Sequence, residues 1–418
     1  MKTARKNSRR FPGIIFGPAL LILLIMPGIS TASDTCKIAF LDPLSGPVAL
    51  VGEQVNRLYK FCVAQQNLKG GILGKKIEPI YVDTEFKPQV AVRKAEKLIL
   101  DEHIDFLVIG SSSNIGIALA PVATKYKKIL LNIGALSNII QGQHFSRYAF
   151  RAIFNTWAQG AAYGAYYGKQ SFTKFYLINP DYAFGHDFAE AVIAILKKNP
   201  KINIVADEYF PVGIKDWAPY LSKIKASGAE VIITSVFGTD TLTLLKQISQ
   251  FGLKVEVGAY TAGVPSVLEA AGDAALGVVI VAGILNTDDS PTVVKTENLM
   301  HEMYKDHPDK DARYAYGVAL DYVNGWNFFV AAVEKAGSFD AEKIIQAWEG
   351  MHFTSLNGQD VYMRACDHQL VLPMSVGKVV KGRNRYLGDN PYLGKPIAMI
   401  SREEATIPAT PQYNPLCK

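Results

Sequence analysis

The stretch from Phe106 to Ser137 reads FLVIGSSSNIGIALAPVATKYKKILLNIGALS. FLVIG (106 to 110) and ILLNIG (129 to 134) are apolar runs too short for helices, and each halts at a glycine followed by small residues. Between them, 115 to 126 has the length and apolar content of a helix. Buried strands joined by a helix of that length are the signature of a parallel pair, because parallel strands need a crossover of a dozen or so residues.

The same alternation runs outward in both directions. KIAFL (37 to 41) and IEPIYV (77 to 82) read as strands, with helices expected at 50 to 68 and 88 to 103. In the latter, Ala91, Ala95, Leu98 and Ile99 share one face. After an irregular stretch, Ser137 to Asn155, it resumes with strands at 175 to 179, 202 to 210, 231 to 237, 255 to 260 and 277 to 283. Helices are expected near 184 to 199, 216 to 226, 239 to 251 and 264 to 271. Two such series predict an α/β protein of two lobes, each a doubly wound parallel sheet covered by helices on both faces. Helices at 292 to 306, 312 to 336 and 340 to 349 follow. Tyr316, Leu320, Val323, Trp326, Phe329 and Val330 make 312 to 336 a core helix, expected to return to the first lobe. The segment from Arg383 is rich in Pro, Gly and Asn, lacks periodicity, and reads as a surface strap.

Ligands of open α/β sheets bind beyond the carboxyl ends of the strands. There the first series offers Ser111-Ser112-Ser113-Asn114 at a helix start, where free N–H groups favour an anion, and Ala135-Leu136-Ser137. In the second series Asn179 to His186 includes Tyr182 and Phe184, and the next two strands end at Phe237 and at Tyr260-Thr261. Donors therefore come from one lobe and aromatic walls from the other. Taken singly, a Ser/Asn cluster is also a helix cap, Phe184 and Phe237 are also core residues, and His186 reads as a surface or capping histidine.

Composition narrows the partners. Of the net charge of +6, the bases Lys2, Arg5, Lys6, Arg9 and Arg10 carry most, and from residue 33 onward 39 bases are dispersed among 38 acids. No basic face for nucleic acid is expected from that balance. After the basic start, Gly13 to Met26 is apolar but shorter than the roughly 20 residues of a bilayer span. Ser30-Thr31-Ala32 completes a secretory signal over 1 to 32, with cleavage expected after Ala32. Cys36 lacks a small residue before it, so lipidation is not expected. In an oxidising compartment four cysteines allow three pairings. Cys366 with Cys417 is the expected one, since it would pin the Pro-rich tail; Cys62, in a helical apolar pattern, also reads as a buried thiol.

FLDPLSGPVALVGEQ (40 to 54), NLKGGILGKKIEPIYVDTEFKPQVAVRKAEKLI (67 to 99), DYAFGH (181 to 186) and FGTDTLTLLKQISQFGL (237 to 253), in this order, resemble the Leu/Ile/Val-binding family of periplasmic solute receptors for ABC importers. The resemblance spans about 37 to 380. It implies a type I periplasmic binding protein, a Venus flytrap of two lobes joined by a three-stranded hinge, with crossings near 153, 283 and 367. Residues 34 to 153 and 284 to 366 would form the first lobe, 154 to 283 and 367 to 390 the second, and 391 to 418 a tail. By the family's pattern the ligand carboxylate falls to Asn114 and Ser113, with Ala135 and Ser137 in the next turn. Phe184 and Phe237 are wall positions, Val51 stands where a Tyr is frequent, and Asn155, Trp157 and Tyr182 line the cleft. Amino-acid binders carry a Glu for the ligand ammonium after the strand ending at Tyr260, where this chain has Thr261. A buried cation without a carboxylate partner is penalised by several kcal/mol. The implied ligand is accordingly a small carboxylate without an amine, an aromatic or hydrophobic acid, delivered to a membrane permease by a monomeric periplasmic receptor. A branched-chain amino acid or amide binder, and a soluble sensor presenting its ligand to a membrane receptor, are the alternatives.

An enzyme is not expected. GxSxG, HExxH, GxGxxG, the P-loop and CxxC do not occur, and seven histidines lie without ligand spacing, so neither cofactor nor metal is implied.

Overall fold

A computed structural model describes residues 35–46, 48–285, 287–308, 310–313, 318–382, 392–408 and 416–417, together with Met1, Thr3 and Ala4. The expected signal over 1 to 32, its cleavage after Ala32, and Tyr316 lie outside them, the three N-terminal residues aside.

The short apolar runs have become strands, buried in the sheet centres and half-buried in β2 and β7 at the edges, and the amphipathic segments helices. In the first lobe these are β1 (Thr35–Asp42), α1 (Ala49–Leu68), β2 (Lys76–Asp83), α2 (Pro88–Asp101), β3 (Phe106–Ile109), α3 (Ser113–Tyr126), β4 (Ile129–Asn132) and β5 (Ala149–Arg151). The chain then builds α4 (Thr156–Tyr167), β6 (Lys174–Pro180), α5 (Ala183–Leu196), β7 (Asn203–Phe210), α6 (Ala218–Ser227), β8 (Val231–Thr234), α7 (Thr239–Gln250), β9 (Glu256–Ala259), α8 (Pro265–Ala271) and β10 (Val279–Ala282). It returns through α9 (Pro291–Tyr304), α10 (Ala319–Ala336) and α11 (Ala341–Trp348) to β11 (His352–Thr354), β12 (Asp360–Arg364) and β13 (Gln369–Val371). It ends with β14 (Met374–Lys381), β15 (Tyr392–Ile400) and α12 (Arg402–Ala405).

One sheet has eight strands in the order β11-β12-β13-β5-β4-β3-β1-β2, the other seven in the order β15-β14-β10-β9-β8-β6-β7. Both are parallel at their centres and antiparallel at one edge. Buried on both faces, β3, β4, β8 and β10 have no polar side to alternate with, which is why they read as unbroken apolar runs. The helix with Leu320, Val323 and Trp326 does pack in the first lobe: α10 lies against α1, and the rings of Trp326 and Phe40 are 6.1 Å apart.

Three features depart from expectation. α10 starts at Ala319, and 310–313 form a separate single turn, so the helix does not run from 312. β13 pairs with β5 at Gln369 and Arg151, so residues 369–371 belong to the first sheet and not to the second lobe expected from 367. Within the strap expected from 383 and the tail expected from 391, residues 392–400 form an edge strand, β15, paired with β14 across one irregularity at Val376 and Gly377. Pro396 and Gly394 disguise this strand, and a proline is tolerated because β15 is an edge.

Cys366 and Cys417 are joined in a disulfide, while Cys36 and Cys62 are buried free thiols. Closing a loop of 51 residues is worth about 4 kcal/mol in the chain-entropy limit. Replacing both cysteines by serine should lower the melting temperature. An unchanged melting curve would mean that β15 alone holds the tail.

Candidate functional site

A cavity of about 340 Å³ opens where the carboxyl ends of the two sheets face each other. That is large enough for a small organic ligand. The first lobe contributes Val51 and Gln54 of α1, Ser111 and Ser113 after β3, Gly134 and Leu136 after β4, and Tyr322 of α10. From the second lobe come Tyr182 and Phe184 after β6, Phe237 and Thr239 after β8, Tyr260 and Thr261 after β9, and Val264 and Val267 at the start of α8. Among the described residues of this wall none is Asp, Glu, Lys, Arg or His.

The second lobe's share is a cluster of rings. Phe184 lies 5.9 Å from Tyr182, 6.2 Å from Phe237 and 6.0 Å from Tyr260, centroid to centroid, at tilted or edge-on angles. Such arrangements are favourable beyond the area they bury. Burial pushes the Tyr182 hydroxyl well above the ordinary phenol range, so it stays a neutral donor. Thr261 Oγ1 is 2.7 Å from Thr241 Oγ1 and 3.4 Å from the Val236 carbonyl, a neutral hydrogen-bonded arrangement.

The first lobe's share is backbone held by buried polar groups. Asn132 Oδ1 accepts from the N–H of Gly134 at 3.1 Å and of Ala135 at 2.8 Å, and its amide donates to the Ala135 carbonyl at 2.8 Å. Ser137 N donates to Ser113 Oγ at 3.2 Å, tying the turn after β4 to the start of α3. Tyr322 donates through its hydroxyl to the Gly110 carbonyl, and Asp42 Oδ2 accepts from Gly110 N at 3.0 Å. α3, α5 and α7 all begin at the cavity, and none has a side-chain cap. Their first N–H groups and positive dipole ends therefore lie beside it.

Val51, Ser113, Tyr182, Phe184, Phe237, Tyr260 and Thr261 thus come together in one wall. Five other expected positions do not line it. Asn114 is exposed, because one step around α3 from buried Ser113 carries it off the inward face. Ala135 is buried between two lining residues, its carbonyl bonded to Asn132 and approached by Arg151. The Ser137 hydroxyl donates to Asp187 Oδ2 at 2.5 Å, a bridge from the first lobe to α5 of the second. Asn155 caps α4, accepting from Ala158 N at 2.8 Å. Trp157 packs with Ala161, Ala191 and Ile407 instead of lining the cleft. His186 stacks on Tyr209 at 3.9 Å and pairs with Asp181 at 2.9 Å on the surface.

Gln54, Tyr322, Thr239 and the α8 residues are lining groups not anticipated as such. Only the helical pattern of 312 to 336 touched Tyr322, and that pattern pointed to core. Ser111 belongs to the serine cluster after FLVIG.

A family model described as periplasmic binding protein matches residues 35–384. Leu/Ile/Val-binding protein homolog 4 of Brucella abortus is 28% identical over 87% of this chain and 89% of its own length. Among solved structures, a solute binding protein of an ABC transporter from Rhodopseudomonas palustris in complex with 3,4-dihydroxybenzoic acid has a TM-score of 0.78 at 22% identity, covering 88% of this chain and 98% of that one. The leucine-, isoleucine-, valine-, threonine- and alanine-binding protein from Brucella ovis, in its closed conformation, gives a TM-score of 0.80 at 24% identity, covering 92% and 98%. Two lobes, a cavity between them and a family match over most of the length lead to one conclusion: the chain belongs to the periplasmic binding protein family.

Proposed function

We propose that this protein is a periplasmic receptor that captures a small acid lacking an amine, with an aromatic or other hydrophobic body, and delivers it to the permease of an ABC importer. The carrying observation is the cavity wall: four rings from the second lobe, the start of α3 in the first lobe and those of α5 and α7 in the second, and no charged side chain among its described residues. An anion is welcomed by the uncapped N-termini, whereas an ammonium would need a carboxylate that Thr261 does not provide. The Rhodopseudomonas palustris relative with bound 3,4-dihydroxybenzoic acid supports the same class. Capture would stabilise a closed form, since a ligand touching both lobes shifts the population toward it. Residues 1 to 32 are assigned as the export signal, the receptor acts as a monomer, and its activity is binding without catalysis.

The second reading is a branched-chain amino acid binder, favoured by the Brucella abortus relative. Thermal shift with leucine, isoleucine, benzoate, phenylacetate and 4-methylpentanoate separates the two, because a ligand of the native state raises its melting temperature. Stabilisation by acids alone is expected; a response to leucine alone would overturn the proposal. Thr261→Glu should weaken acid binding by about tenfold or more, through like charge in a low-dielectric cavity. Unchanged affinity would remove Thr261 from the ligand's surroundings.

A further inference from the structure

Behind the polar end of the cavity lies a carboxylate that acid capture leaves unexplained. Asp42, the last residue of β1, is only 2% exposed. Its Oδ2 accepts from Tyr59 Oη at 2.5 Å and from Gly110 N at 3.0 Å, and its Oδ1 accepts from Ser111 Oγ. Ser111 itself lines the cavity. A serine hydroxyl has one proton and two lone pairs. With the proton committed to Asp42, Ser111 turns a lone pair toward the ligand. This acceptor stands beside donors, for α3 begins two residues later, and two residues of chain reach at most about 7 Å.

We propose that the ligand carries a hydroxyl on the carbon next to its carboxylate, and that this hydroxyl donates to Ser111. This rests on the reading of the ligand as an acid held at the start of α3. Ser111 makes the contact, while Asp42 is a positioning residue that sets the direction of the Ser111 proton. A site built around an acceptor discriminates against the analogue with nothing to donate, because the acceptor is then buried without a partner. An ammonium would also donate, but it would bring full charge into a wall that offers no carboxylate in direct contact, Asp42 being one serine away.

Protonation of Asp42 reverses the arrangement. Oδ1 faces a hydroxyl that can turn, so a proton placed there donates to Ser111 Oγ and frees the serine O–H for the cavity. Tyr59 of α1 touches this carboxyl, Cys62 of α1 and Tyr322 of α10 act on Tyr59, and Asp83 is its register partner on β2. Burial pushes the carboxyl from 3.8 up to about 6, against the opposing hydrogen bonds from Ser111, Tyr59 and Gly110. The folded state therefore holds this proton more tightly than the unfolded chain does, and the ionised, acceptor-orienting form fills as pH rises through about 6. The hydroxyl preference should be complete well above that value and fade below it.

Two matched trios test this on the full chain by calorimetry: phenylacetate, mandelate and phenylglycine, and 4-methylpentanoate, 2-hydroxy-4-methylpentanoate and leucine. In at least one trio the 2-hydroxy acid should bind about tenfold or more tighter than its unsubstituted partner near pH 8, the gap narrowing to about threefold or less near pH 5. Ser111→Ala should abolish the gap, read as the ratio of the two affinities measured in the same variant. Asp42→Asn should do the same, and if that variant fails to fold, Ser111→Ala alone decides. Acids that bind with no hydroxyl preference, or with one that survives Ser111→Ala or does not narrow at low pH, overturn this inference and leave the acid reading standing. Tightest binding by the amino member overturns the acid reading itself, and silence from both trios overturns both.

Discussion

Gly134→Ala is expected to destroy the site. A Cβ at this position would overlap the Gly110 carbonyl oxygen and the Tyr322 hydroxyl that donates to it. Neither can yield cheaply. Gly110 is backbone, fixed on its other side by Asp42, and Ile133 N donates to the Ile109 carbonyl at 2.9 Å just before the approach. The turns after β3 and β4 are thus held together at the one place where a side chain would have to fit. Overpacking against a side chain costs about 1–3 kcal/mol, and against backbone the cost sits at or above the top of that range. Relief would push Gly110 outward and carry Ser111 and Ser113 with it, so affinity for the bound acid should fall by about a hundredfold, roughly the same energy in binding units. Gly116→Ala is the control. Its Cβ would meet side-chain atoms alone, Ile140 Cδ1 at 3.1 Å, Ala135 Cβ at 3.2 Å and Ile109 Cδ1 at 3.8 Å, so a smaller loss is expected. Wild-type affinity in Gly134→Ala would show that the two turns do not define the cavity.

How much of this was legible in advance depended on periodicity. Strands such as FLVI and ILLN announce themselves because burial on both faces demands continuous apolar side chains. α4 did not. Nearly all of TWAQGAAYGAYY is buried, so it has no polar face to reveal a helical period, and its small residues let α5 come close. β5, β11 and β13 are three residues each, too short to show alternation. At the site, position along the chain identified the turns but not which side chain of each turn faces inward. Ser113 and Asn114 are adjacent, yet one is buried and the other exposed. Ser137 has the right chemistry, but Asp187 engages its hydroxyl. That engagement depends on where α5 of the other lobe comes to rest, a long-range fact no local pattern carries.

Arg151 is where the largest loss of stability is expected. It ends β5 with no exposed surface, and its Nη1 donates to the carbonyls of Leu136 at 3.0 Å and Ser137 at 2.6 Å. Its Nε donates to Gln369 Oε1 at 2.5 Å, and that glutamine's amide donates to the Ile153 and Leu370 carbonyls, each at 2.7 Å. One guanidinium therefore ties the turn after β4 to the first crossing and to β13, just before the third. Burial pulls it from 12.5 down to about 9, with Asp367 and Asp187 opposing the fall, so it remains charged at neutral pH. Arg151→Met keeps the stem but takes the charged donor from the Leu136 and Ser137 carbonyls, which keep only Thr156 and Ile140 N, leaves the glutamine oxygen without that donor, and removes the guanidinium near Asp187. Removing one side of a buried charged network costs about 3–5 kcal/mol, which should lower the melting temperature by roughly 4–10 °C. Arg151→Lys should recover little, because one ammonium cannot span the carbonyls and the glutamine together. The turn is gripped twice, by Arg151 within its own lobe and by Asp187 from the other, and freeing the first grip should also weaken the interlobe bridge to Ser137. Acid affinity should then fall together with stability. A melting curve shifted with affinity intact would restrict Arg151 to holding the fold, and an unshifted curve in Arg151→Met would refute the role given to it.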